Sequence, residues 1–196
     1  MLDMGNYTDA ERNSIIGWCN RLGTDTIYDI KSDRNPLYNC IGYAMGTKHV
    51  FVALGRPDGL AWCWWPPTVP FDENPSSLVE AFKYFGFEET TIPSVELGYD
   101  KVALYEKAGK WTHAARIETH VQYHSKLGIE YDIIHSPGDV FHDVEYGDVF
   151  TYMKRPVFNR YITNQRMPTL GTALWNGIRL SVLIDHGKAI AVMRVR

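Results

Sequence analysis

Cys40 sits in the run Tyr38-Asn39-Cys40-Ile41-Gly42-Tyr43-Ala44-Met45-Gly46, and His113 in Trp111-Thr112-His113-Ala114-Ala115-Arg116. These two residue types make a thiol nucleophile and its base. The imidazole takes the thiol proton, the thiolate attacks a carbonyl, and the imidazolium returns the proton to the leaving group. Asn39 is a preferred N-cap residue, which puts Cys40 at the first helical position. Free backbone amides and the positive end of the helix dipole favour a thiolate there, so the expectation is a thiol of lowered pKa that reacts near neutral pH. The Cys40 amide is also placed to help bind an oxyanion.

A base needs an orienting partner, and in a hairpin the strand that follows His113 must return beside it. A polar residue a hairpin's length downstream, Ser125, is the candidate for the third catalytic position. Alternation puts Gln122, His124 and Lys126 on one face and Tyr123 and Ser125 on the other. Which face looks at His113 is left open by the sequence. Ser125 can accept from an imidazole, whereas Lys126 is suited to stabilising an anion; with Asn39 and His135 it forms the supporting set. His135, just ahead of Pro137, also reads as a capping or surface histidine in a loop.

Three further residues are candidates for holding substrate. Trp64 and Trp65, in Trp62-Cys63-Trp64-Trp65-Pro66-Pro67, can grip an extended or ring-bearing substrate, the alternative being a large aromatic core. Arg116 can clamp a carboxylate, although an exposed strand arginine is an equally simple reading.

The elements that must position these residues follow from periodicity. Thr8-Asp9-Ala10-Glu11 is a capping box, followed by Ile15, Trp18, Cys19 and Leu22 at helical spacing and ended by Gly23. Cys19 falls on the apolar stripe, where a thiol is a small inert hydrophobe. Residues 24–39 read as a loop, and Ser77-Leu78-Val79-Glu80 as a second capping box that opens a helix closed by Gly86. Beyond Gly86 the period changes to two: strands are expected over 101–105, 111–117, 119–126, 146–153 and 188–195, with a turn at Ala108-Gly109. Helices followed by an antiparallel meander predict an α+β domain.

Bulk properties bound the function. The 196 residues support one core, read as a single domain over 1–196. Its 45% hydrophobic and 22% charged content is that of a globular chain, and the net charge of −3 argues against a phosphate-neutralising surface, hence against nucleic acid as partner. No segment approaches a bilayer-spanning length of apolar residues and the start lacks a basic region before an apolar run, so neither a membrane partner nor a signal peptide is expected. The reading is cytoplasmic, or secreted by a route without a visible signal. Cys19, Cys40 and Cys63 are too scattered for a disulfide framework, and Asp139, Asp143 and Asp148 match no convergent loop. No metal and no other cofactor is indicated.

Asn39-Cys40-Ile41-Gly42-Tyr43-Ala44 resembles the nucleophile box of CHAP and NlpC-type cysteine amidases. The ensemble is also similar to an uncharacterised bacterial family with an Asn-Cys box, a double Trp, a Thr-His-Ala-Ala-Arg strand, a Ser-Lys-Leu-Gly strand end, an Ile-x-His and a Tyr-Gly-x-Val strand. Here these are Asn39-Cys40, Trp64-Trp65, Thr112 to Arg116, Ser125 to Gly128, Ile133 to His135, and Tyr146 to Val149, so the likeness spans about 38–155 and leaves 156–196 as an extension. The resemblance implies a papain-like fold in which N-terminal helices pack on an antiparallel sheet. It implies a cysteine peptidase, amidase or acyl transferase acting on a peptide, a peptidoglycan stem peptide or a protein. Two departures stand out: Ile41 follows the cysteine where Ser or Thr is common, and no His or Asn stands clearly at the third position. The rival expectation is a non-catalytic domain of the same fold that binds peptide or a protein partner through Trp62 to Trp65, as a toxin, effector or mobile-element accessory protein.

Overall fold

The computed structural model describes residues 7–54, 63–137, 140–142 and 146–157, together with the backbone of three C-terminal strands over 169–175, 178–185 and 188–194. Trp62, Asp139 and Asp143 lie outside the described residues. The elements run α1 (Asp9–Trp18), a 3-10 helix (Asn20–Thr24), β1 (Asp29–Ser32), α2 (Cys40–Met45), α3 (Pro75–Tyr84), β2 (Glu88–Thr90), β3 (Tyr99–Lys107), β4 (Lys110–Ile117), β5 (Tyr123–Lys126), β6 (Asp132–His135), β7 (Asp148–Pro156), β8 (Thr169–Trp175), β9 (Ile178–Asp185) and β10 (Lys188–Arg194). The chain is α+β. Seven strands form an antiparallel sheet in the order β1-β6-β5-β4-β3-β7-β2, and β8 to β10 form a separate antiparallel sheet of three. Among the described residues no helix is long and apolar enough to cross a membrane.

The capping box at Thr8 and Glu11 forms as expected, but α1 stops at Trp18 and a 3-10 turn carries the chain through Gly23. The second helix differs at its start. It begins at Pro75 under an Asn74 cap, and the Ser77 hydroxyl donates to Asp72 at 2.6 Å instead of capping the helix. Proline at the first helical position and asparagine before it explain the earlier start. Ala108 and Gly109, at φ 52° and 76°, make the expected β3–β4 turn, since two positive φ values match the twist of a tight hairpin. The strand expected from residue 119 starts only at Tyr123, because the Glu118 and Thr119 amides donate to the Gln122 carbonyl in a turn.

Alternation along the central strands divides the interior into two layers. Val102, Leu104, Ala114 and Met153 pack against α2 and α3 on one face, in a cluster with Cys40, Ile41, Ala44, Leu78 and Phe82. Ala103, Tyr105, Ala115, Ile117, Tyr123 and Ile133 pack on the other face against Ile15, Cys19, Leu22 and Phe141. Cys19 is fully buried there and its thiol donates to the Val140 carbonyl, as a structural cysteine should.

The short helix α2 is fixed at both ends. The Asn39 carboxamide oxygen accepts from the Gly42 and Val52 amides at 3.1 Å each, and its nitrogen donates to the Val52 carbonyl at 2.8 Å. At the other end Gly46 closes the helix in the left-handed conformation, and Arg155 of β7 donates to the Met45 carbonyl at 3.3 Å while pairing with Asp100 of β3 at 3.0 Å. The helix presses so closely on the neighbouring chain that a Cβ on Gly42 would lie 2.3 Å from the Val50 carbonyl oxygen.

Two glycine substitutions test this packing. Gly42→Ala forces backbone apart and should cost roughly 2 kcal/mol or more. Gly17→Ala, on α1 with nothing beyond its own helix backbone and chain neighbours within 4 Å of the added carbon, should stabilise by about 0.5–1 kcal/mol. Urea denaturation midpoints that moved in the same direction for both variants would contradict the arrangement.

Candidate functional site

Cys40 opens α2 as expected, but it shares no compartment with His113. The thiol lies in the α2–α3 layer with Ala114, whereas His113, one residue earlier on β4, points through the opposite face of the sheet. There its ring stacks on Tyr146 at 4.1 Å between centroids and meets Phe141 and Tyr105 edge-on. The Cys40–His113 pair expected from the sequence is therefore not formed. The physical reason is strand parity: the residue whose side of β4 faces α2 is Ala114, and its immediate neighbour must face away.

His113 does find Ser125. Its Nε2 is 2.9 Å from the Ser125 hydroxyl, which is in turn 2.8 Å from Nε2 of His135. All three side chains are fully buried. The protons can be assigned from the network. His135 Nδ1 lies 2.8 Å from the Ser136 carbonyl, which only accepts, so Nδ1 carries the hydrogen and Nε2 is the acceptor. Ser125 then donates to His135 and accepts from His113 Nε2–H, which leaves His113 Nδ1 as a bare lone pair with no partner among the described residues. Burial drives both histidines towards the neutral form: His113 well below its ordinary value, helped by His135, and His135 down to about 4, against the opposing pull of the Ser136 carbonyl and Asp25. Two neutral rings clamped through one hydroxyl form a structural strut. His135 is neither a loop residue nor beside Cys40; it ends the buried strand β6.

What does share the Cys40 layer is Lys126, the next residue after Ser125 and hence on the opposite face. Its side chain is buried, its Nζ donates to the Glu130 carbonyl, and it lies 5.1 Å above the Tyr38 ring. Burial lowers its pKa to about 8, while Asp132, Glu130 and the Cys40 sulfur favour the charged form. Burial pushes the Cys40 thiol up to about 11, opposed by the amides of Ala114, Ile41 and Cys40 and by the Lys126 charge. The low-pKa thiol expected from the helix start is thus overturned: a thiol only 6% exposed loses more by desolvation than three amides return.

Around this pair lie residues that sequence reasoning missed. The Tyr38 hydroxyl donates to both oxygens of Asp132, at 2.9 and 2.8 Å, and Lys48 donates to the same carboxylate at 2.9 Å. Only Tyr38, beside Asn39, carried any local signal. Asn39 itself is spent on Gly42 and Val52 and takes no part in an oxyanion site. Trp64 and Trp65 are core residues, at 5% and 9% exposure. Trp64 packs on Phe85 and Tyr84; Trp65 stacks on Trp111 at 5.5 Å and donates to the Pro70 carbonyl. The expected tryptophan grip on a substrate or partner is absent at these two positions. Arg116 is half-buried on the Cys40 face, paired with Glu118 at 2.9 Å and lying over the Tyr43 ring. Among the described residues no three His, Cys, Asp or Glu side chains converge as a metal site would require.

Residues 29–154 match the profile of a family described as a domain of unknown function (DUF7689), and the chain belongs to that family. No curated protein matches the chain, and no solved structure does.

The buried histidines link stability to pH. Both bind protons less readily folded than unfolded, so the stability they lend is whole above pH 6.5 and is lost as pH falls through that value towards 4. His135 alone should account for roughly 2–3 kcal/mol of the loss between pH 7 and pH 4. Denaturation midpoints across this range should fall steeply for the native chain and less for His135→Gln; equal slopes would refute the assignment.

Proposed function

Taking the chain as a member of that family, we propose that it is a cysteine hydrolase or acyl transferase acting on an amide or peptide bond, with Lys126 in the place expected of His113. In this reading the domain is papain-like, its nucleophile helix α2 lying across β4 and β5. The observation that carries it is one of placement: Lys126 is a buried lysine on the face of β5 that α2 covers, in the layer that holds Cys40, and burial draws its pKa to about 8. Lysines lowered into that range are suited to general base work.

The steps balance within the pair. Neutral Lys126 takes the Cys40 proton, and the thiolate attacks the carbonyl of the donor. The Lys126 ammonium then returns the proton to the departing amine, leaving an acyl-thioester, which water or a second amine resolves. Asp132, held by Tyr38 and Lys48, biases the lysine towards its charged form and positions the layer. The acyl donor class is that of the sequence reading: peptide, peptidoglycan stem peptide or protein.

One observation favours the rival, a non-catalytic domain that binds a peptide or protein: Cys40 is buried and its thiol is held above the ordinary value. The two readings separate on acylation. Treated with p-nitrophenyl acetate, the hydrolase should gain one acetyl group on Cys40, measured by mass spectrometry, at a rate that climbs as pH passes about 8. Lys126→Met should slow that acylation about tenfold or more while leaving the melting temperature within a few degrees. An acylation rate indifferent to Lys126, or a Cys40 that reacts only after denaturation, leaves the binding domain as the answer.

A further inference from the structure

From the thiol, one step along either element leads to a cleft. Ala44 lies four residues beyond Cys40 on α2 and Arg116 two beyond Ala114 on β4, a displacement of about 6 Å by the rise of helix or strand. Both residues line a cleft of about 160 Å³, with Val102, Glu118 and Arg155. That is about five times the volume of a water molecule in the liquid, enough for a carboxylate on a short stem.

The two guanidiniums of the wall are held differently. Arg155 is 1% exposed and closed against Asp100 at 3.0 Å. Arg116 is at the mouth, its pair with Glu118 more open, the two side chains 27% and 35% exposed. An ion pair that open to water is weakly held. Arg116 is meanwhile kept in place from below by the Tyr43 ring, 5.5 Å away. A carboxylate arriving from outside can therefore replace Glu118 on a guanidinium already positioned, and Glu118 can turn out to solvent.

A second observation concerns the rim. Ile92, Leu97, Val121 and Val157 are large hydrophobic side chains at 43%, 102%, 64% and 39% exposure. The loop with Ile92 and Leu97 also supplies Val95 to the cleft wall, and Val121 belongs to the turn that carries Glu118. Val157 is tied to that loop by its amide to the Gly98 carbonyl at 2.9 Å, and the two loops are joined by the Tyr123 hydroxyl to the Pro93 carbonyl at 3.1 Å. Leu97 stands two residues from Val95 and Val121 three from Glu118, so the loops that form the cleft wall are also the ones that present these exposed apolar side chains to a ligand.

We propose that this mouth docks a peptide: an acidic side chain replaces Glu118 on Arg116, and apolar neighbours of that residue cover Leu97 and Val121. Only the further clause, that the docked peptide is the acyl donor, rests on the hydrolase reading. Binding of acetyl-Ala-Leu-Glu-Leu-Ala-amide and of its Gln counterpart to the Cys40→Ala protein, by calorimetry, tests the docking without chemistry. The Glu peptide should bind about tenfold tighter, the effect of one charge-assisted pair. Arg116→Gln should abolish that preference and Glu118→Gln should tighten the Glu peptide several-fold. Equal affinities, or a preference that survives Arg116→Gln, overturn the docking site. If the Glu peptide binds as expected but the Cys40 protein neither cleaves it nor carries its acyl group, the docking stands and the donor clause falls.

Discussion

A helix of six residues has no stability of its own, because nucleating a turn costs more than so few hydrogen bonds return. What holds α2 is the burial of all six of its residues together with two end restraints, Asn39 on the Val52 backbone and Arg155 on the Met45 carbonyl. The second restraint reaches from β7 and is itself braced by Asp100 on β3. The thiol's position is therefore a property of the whole sheet. Whatever displaces β3 against β7 moves Cys40, and the tight Gly42–Val50 approach leaves little slack to absorb it.

The sheet then sorts the polar side chains by parity. Ser125 and Lys126 are neighbours in sequence, yet one completes a hydrogen-bonded strut between two histidines and the other faces a thiol through the opposite layer. Both are buried, and on the two faces the loss of water has different outcomes. The histidines shed charge and lock the hairpin and β6 together. Burial draws the lysine down to about 8, while Asp132 and Glu130 favour its charged form, and its Nζ lies over the Tyr38 ring.

Much of this was legible in the residues, and the failures have separate causes. The Thr8–Glu11 cap, the Ala108-Gly109 turn and the Asn39 cap are local signals, and each appears where expected. Ser125 stood among the candidates for His113, but its face was left open; the β4–β5 register sets it opposite Ala115, two residues along from His113 on the same face. Which face of the hairpin α2 covers depends on packing between elements distant in sequence, and there the reading paired Cys40 with the wrong side of β4. Strands β1, β2, β6, β8 and β9 went unread; in the first three, three or four residues carry too little alternation to be recognised. The tryptophans were read both ways; burial decides for the core. The start of α3 was misread because Ser77-Leu78-Val79-Glu80 imitates a cap that Asn74 and Pro75 supply one turn sooner.

The outermost strands of the seven-stranded sheet carry a consequence for how copies of the protein behave together. At one border β2 is three residues long and bears Glu88 and Glu89; at the other, β1 is four residues long, its register breaks after Ile30, and Asp29 is held between Arg12 and Lys31. Short, charged or irregular borders offer a poor template for strand addition. The sheet is thereby protected against lateral growth into fibrils or chain-to-chain ribbons.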